Sequence, residues 1–170
     1  MKEVCSKFPA DFPCSILVVQ HMPPLFTRTL AERLNSSSAV EVKEAEDGDL
    51  LKPGTVYIAP GDYHMVVSKT GSILLNQDPP IGTLRPAVDI LFDSLAEHYG
   101  PDVVAAVLTG MGSDGRRGAK SIKENGGTVL AQSEQTCVIY GMPRAIVEAG
   151  YADAIVPLDE IAPEIIKLCS

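Results

Sequence analysis

Two short stretches carry residues suited to proton transfer. In ILVVQHMPP, residues 16–24, an apolar run ends at His21. In VLTGMGSDG, residues 107–115, a second apolar run ends in a glycine-rich turn holding Asp114. An imidazole titrates near neutral pH and can act as a general base. A carboxylate bonded to it fixes its tautomer and stabilises the imidazolium. The two are candidate members of a Ser-His-Asp hydrolase triad. The backbone N–H groups of the GMGSDG turn are a natural place for an oxyanion. Both residues also have a plain reading, in which His21 merely ends a strand and Asp114 caps the helix beginning near Gly115.

Other chemistry competes for the same residues. Gly110 to Gly115 reads GxGxxG, follows an apolar run and opens a helical pattern, with Glu134 nineteen residues beyond Gly115. That is the outline of a dinucleotide site. Against it, Asp114 puts a negative charge where the pyrophosphate must lie. His21, His64 and His98 lack the spacing of metal ligands, so no metal is expected. His98 reads as a solvated helix-end residue favoured by the dipole. His64 suits either the cleft or a hairpin. Met22 and Phe26 could line a substrate groove or pack in the core, and Arg28 reads as a solvated face. Arg85 precedes Pro86 at a helix start, where a positive charge is unfavourable, so a functional contact is an open alternative.

These residues need a frame. SILVVQ (15–20), VEVKEA (40–45), TVYIAP (55–60), DVVAAVLT (102–109), GTVLAQ (127–132) and AIVP (154–157) read as strands. Continuous apolar character in the first suits a strand covered on both faces. Helical patterns occupy 23–35, 86–99, 115–127, 143–150 and 158–169, with Pro at several starts and Gly at several ends. HMVVSKTGSILL (64–75) reads as a hairpin turning at Thr70-Gly71. The alternation implies an α/β fold: a doubly wound, mostly parallel sheet with helices on both faces and a small antiparallel hairpin. In such sheets ligands sit outside the carboxyl ends of the strands. His21, the 110–115 loop and the loop from Gln132 to Gln135 all leave strands at that end.

Composition narrows the partners. The chain has 170 residues, 45% hydrophobic and 21% charged, which fits one globular domain. A net charge of −8 with no basic run argues against nucleic acid. No apolar run reaches the length of a membrane span, and no signal peptide opens the chain. Four cysteines at 5, 14, 137 and 169 form no CxxC pair and read as free thiols of a cytoplasmic protein.

Five ordered stretches make the pattern specific: VVQHMPPLFTRTLAERLN, VKEAEDGDLLKPGTVYIAPGDYHM, RPAVDILFDSLAEHYG, VLTGMGSDG and CVIYGMPRAI. Together they resemble the catalytic domain of the chemotaxis protein-glutamate methylesterase family, over nearly the whole chain. The resemblance implies hydrolysis of glutamyl methyl esters on chemoreceptors, with release of methanol, and deamidation of glutamine. It implies His21 and Asp114 as catalytic residues, with Met111, Gly112 and Met22 near the oxyanion and substrate. It implies no cofactor and no metal. Its partners are methylated chemoreceptor cytoplasmic domains and an amino-terminal receiver domain.

One part of the family's pattern is missing. The nucleophilic serine of the family lies in a Gly-x-Ser-x-Gly-Gly turn between the first strand and first helix. Residues 1–170 therefore read as a methylesterase catalytic domain lacking that strand and turn. Ser15 stands six residues before His21, at the opposite end of its strand, roughly 20 Å away at ~3.3 Å per residue. Ser6 lies on the remnant helix. Ser113 would have to bypass Asp114 to reach the imidazole, and it lacks the preceding glycine of a nucleophile elbow. No nucleophile is thus expected within this chain, and little activity from it alone. A non-catalytic receptor-binding or regulatory module is the alternative. A doubly wound sheet without its first strand should show a gap or an exposed edge, lowered stability, closure of the neighbouring strands, or association.

Overall fold

The computed structural model describes all 170 residues. The chain opens with helix α1 (Lys2–Cys5) and enters strand β1 (Ile16–Val18). Helix α2 (Phe26–Asn35), strands β2 (Glu41–Glu44) and β3 (Thr55–Ile58), and the hairpin β4 (His64–Val67) and β5 (Ile73–Asn76) follow. The second half runs through α3 (Val88–Tyr99), β6 (Val104–Val107), α4 (Arg116–Glu124), β7 (Thr128–Gln132), α5 (Met142–Glu148), β8 (Ala154–Val156) and α6 (Leu158–Leu168). The expected elements are present, several trimmed at their ends. The 23–35 helix starts at Phe26 because Pro23, Pro24 and a left-handed Leu25 (φ 74°) form the lead-in.

The parallel strands form two sheets rather than one. β1 and β2 flank β3, and β6 and β8 flank β7, all parallel. β4 and β5 pair antiparallel, as the hairpin pattern expects. β3 is buried along its whole length, consistent with its apolar TVYI. Helices α1, α2 and α6, with the segment after α1, cover one face through Val4, Phe8, Phe12, Leu34 and Ile161. Helices α3, α4 and α5 cover β6 and β7 on the other face through Phe92, Ile122 and Ile146. The hairpin covers β3 on that same side, through Met65, Val67 and Ile73 against Tyr57 and Leu91. No helix is long and apolar enough to cross a membrane.

β1 and β6 do not pair with each other. Between their edges runs a groove of about 850 Å³, lined without interruption by residues 15–21 and 102–111. α1 and α6 wall it through Val4 and Ile161, the segment after α1 through Phe8, and α3 through Val88, Leu91 and Phe92. The expected gap and exposed edges are therefore present, and the neighbouring strands have not closed up.

Candidate active site at the carboxyl ends of β1 and β6

His21 follows β1 and Asp114 follows β6. Their side chains meet: His21 Nε2 lies 2.7 Å from Asp114 Oδ2. This contact puts the carboxyl ends of β1 and β6 on one rim, so the two strands run in the same direction. The Asp114 side chain is 2% exposed and that of His21 25%. A carboxylate only accepts, so Nε2 carries the proton and donates. That leaves Nδ1 with the lone pair, and it makes no hydrogen bond within the chain.

Asp114 holds more than His21. Its Oδ2 also accepts from the backbone N–H of Val88 at 2.7 Å, and its Oδ1 from that of Asp89 at 3.0 Å. It therefore satisfies amides at the start of α3, not of α4. The plain reading of Asp114 as the cap of the helix after Gly115 does not hold: α4 begins at Arg116 with Gly115 as its boundary residue, and its first-turn amide of Gly118 is taken by Asp89. Gly115 takes a left-handed conformation (φ 94°), which suits a residue without Cβ, while the Asp114 side chain reaches the neighbouring helix.

Burial alone pushes the Asp114 carboxyl up. The hydrogen bonds from His21 and from the Asp89 and Val88 amides outweigh it and hold the group below the ordinary carboxylate range. Asp114 is thus ionised at neutral pH, as a partner to an imidazolium must be.

The GMGSDG turn is braced from two sides. The Gln132 side chain, at the end of β7, accepts from the Thr109 N–H at 2.8 Å and donates to Thr136 O at 2.8 Å. Gly110 donates to Ile139 O at 3.1 Å, and Met142 donates back to Gly110 O at 2.8 Å. The loops after β6 and β7 do converge with His21's rim, and the CVIYGMPRAI stretch supplies the brace. The N–H groups of Met111, Gly112, Ser113 and Asp114 donate to no acceptor in the chain. Met111 is 79% exposed.

The dinucleotide outline does not survive this geometry. The amides of Gly115 and Gly118, which would face a pyrophosphate, are bonded to the carboxylate of Asp89 at 3.0 and 2.8 Å. Asp89 is buried and lies opposite Asp114 across the α3–α4 contact. The sequence reading missed it. The only signal was an acidic residue in the first turn of a helix, which is too common to single out.

The remaining sequence candidates fall outside the pair. His64 is 1% exposed in the hairpin, with Nε2 3.2 Å from Pro79 O, so it packs in the core and does not line the cleft. Arg85 binds Asp62 at 2.6 Å and the carbonyls of Gln77 and Asp78, which makes it an internal tie. Arg28 is exposed and paired with Glu32. Met22 is half-buried beside His21, and Phe26 is 60% exposed. His98 is half-exposed in the last turn of α3. The four cysteines are unpaired.

No serine, threonine or cysteine side chain hydrogen-bonds to His21. Ser15 lines the far end of the groove, while Ser6 and Ser113 are exposed.

Comparison with known proteins adds identity to this geometry. A family model described as CheB methylesterase matches residues 1–165. A protein-glutamate methylesterase/protein-glutamine glutaminase of Clostridium acetobutylicum is 52% identical over 166 residues, covering 98% of this chain and 48% of that protein. A protein of the same description from Archaeoglobus fulgidus is 47% identical over 170 residues, covering 98% and 49%. The crystal structure of the Thermotoga maritima CheB methylesterase catalytic domain superposes with a TM-score of 0.95 at 47% identity, covering 98% of this chain and 90% of that one. The chain spans about half the length of the curated relatives it matches. With a matching fold, a matching family model and close relatives across almost all of its residues, this chain belongs to the CheB methylesterase family.

Proposed function

We propose that these 170 residues carry the His–Asp half of a protein-glutamate methylesterase and glutaminase site, and that the nucleophilic serine is not among them. The observation that carries this reading is the 2.7 Å contact of His21 Nε2 with a buried, ionised Asp114. Nδ1 is left unpartnered at the mouth of the groove between β1 and β6. The groove has the shape of a place for one more parallel strand. A turn following such a strand would arrive beside His21. The match to the Thermotoga maritima domain supports this, since it leaves a tenth of that chain without a counterpart here.

In this reading Nδ1 takes the proton of the serine hydroxyl as oxygen attacks the glutamyl ester carbonyl. Asp114 stays ionised, holds Nε2–H and stabilises the imidazolium. The open amides of Met111 and Gly112 receive the oxyanion, with Met22 beside the substrate. The imidazolium then gives its proton to the departing methoxide, which leaves as methanol. Water, activated by the same nitrogen, releases the carboxylate. Glutamine follows the same course with ammonia leaving. No metal or cofactor takes part. The substrates are methylated chemoreceptor cytoplasmic domains, the setting is the cytoplasm, and a receiver domain is the regulatory partner.

The test is release of methanol from a methyl-esterified receptor domain. The 170-residue chain should turn over about 10⁴- to 10⁶-fold more slowly than a longer chain that includes the serine turn. Equal rates would overturn the nucleophile assignment. No hydrolysis by the longer chain would overturn the esterase reading and favour a binding or regulatory module.

A further inference from the structure

Asp89 touches neither His21 nor the groove mouth, yet it is built into the site. The two aspartates exchange hydrogen bonds. The backbone N–H of Asp89 goes to Asp114 Oδ1 at 3.0 Å, and that of Gly115, next to Asp114, goes to Asp89 Oδ1 at 3.0 Å. Val88 N–H adds to one side at 2.7 Å, and Gly118 N–H to the other at 2.8 Å. Each carboxylate thus sits at the start of the other's helix, α3 for Asp114 and α4 for Asp89.

This arrangement is costly for a mere cap. Burial pushes the Asp89 carboxyl up, and the charge of Asp114 adds to that push, more than the Gly118 and Gly115 amides and Arg117 recover. An asparagine would satisfy the same amides without a second negative charge. The approach of the helices is also close. A Cβ on Gly118 would overlap Phe92 and come within 3.2 Å of Asp89 Cα. The turn that carries Asp114 is therefore fixed at its downstream end by one side chain on α3.

We propose that Asp89 is a positioning residue for the His21–Asp114 pair: its carboxylate holds the first turn of α4, and thereby the GMGSDG turn, where Asp114 meets Nε2 of His21. This rests on the reading of that pair as the acid–base half of the site, and it extends the site to the contact between α3 and α4. Asp89 acts through hydrogen-bond geometry, so an asparagine, whose Oδ1 accepts from both amides, replaces it.

The test reads the His21 Nε2–H proton directly by NMR on the ¹⁵N-labelled 170-residue chain, so it does not depend on esterase activity. The wild type should show a low-field signal for this proton, coupled to the His21 ring and absent in Asp114→Ala. Asp89→Asn should keep the signal in place. Asp89→Ala should shift it upfield or lose it to solvent exchange, while the His64 ring signals stay unmoved. The imidazole of His64, held at Pro79 O, makes no hydrogen bond to α3 or α4 and reports general loosening. Should Asp89→Ala fail to fold, Asp89→Ser, which reaches at most one of the two amides, should fall between the wild type and a lost signal. An unchanged signal in the alanine or serine variant overturns the proposal. So does its loss in Asp89→Asn, which would make charge and not position the active quantity, and so does an equal disturbance of His64.

Discussion

Along β1 and β6 the protein changes character from one end to the other. At the carboxyl rim one polar contact crosses between the two strands' ends, His21 to Asp114, and Asp114 and Asp89 bond four backbone amides at the starts of α3 and α4. Along the rest of their length the same strands are separated by an apolar groove and share no ladder. Asp114 is therefore placed by the helix starts packed above the sheet, not by pairing between β1 and β6. The candidate site is anchored where the sheet itself is discontinuous.

The largest effect should come from cutting the rim. Asp114→Ala removes the partner of His21 and leaves the Val88 and Asp89 amides buried without acceptors. A loss of about 3–4 kcal/mol is expected in urea unfolding, from several unmet donors at once. A loss below about 1 kcal/mol would mean that these hydrogen bonds do not hold the rim.

Next, two isoleucines sharpen the contrast. Ile122 on α4 and Ile161 on α6 are both fully buried, but only Ile161 lines the groove. Ile122→Ala should cost about 4 kcal/mol and Ile161→Ala about 2–3, because Ile161 has fewer packed atoms on its groove side to lose. Equal costs in parallel denaturation curves would show the groove wall to be as tightly packed as the core.

The two aspartates give a smaller effect with opposite signs. Asp89 is held above the ordinary carboxylate range, so its contribution to stability is full below its unfolded pKa and lost as pH rises through the folded value. Asp114 is held below that range, so its contribution is present above its unfolded pKa and lost as pH falls through the folded value. Stability should therefore rise slightly on mild acidification and then fall. Asp89→Asn should erase the rise and Asp114→Asn the fall, as read by melting temperature against pH.

Smallest of all, Arg144→Ala breaks an exposed pair with Glu148 on α5. It should change stability by less than about 0.5 kcal/mol. A larger change would mean that surface charge, and not the rim, sets the balance.

Much of this frame was legible beforehand. The strands TVYI and VAAV and the hairpin around Thr70-Gly71 announced themselves through apolar runs and turn residues, because those signals are local. His21 and Asp114 stood out because they end strands on what had to be the ligand-binding side. What was not legible is non-local. Asp114 caps a helix that begins 26 residues earlier, and nothing near residue 114 names that partner. Asp89 looked like any acidic residue in a first helical turn. VIY at 138–140 is apolar, yet Val138 is 89% and Ile139 49% exposed; the segment meets Gly110 through its backbone.

The open edges of β1 and β6 also leave a signature in solvent contact. In the β1–β3 ladder Val18 faces β3, and in the β6–β7 ladder Val103 faces β7, so alternate residues point their amides the other way. Those of Leu17, Val19, Ala106 and Leu108 are unclaimed, while those of Val18, Ala105 and Val107 are engaged. Deuterium should enter the two strands at every second position, and a strand seated between them would silence that alternation.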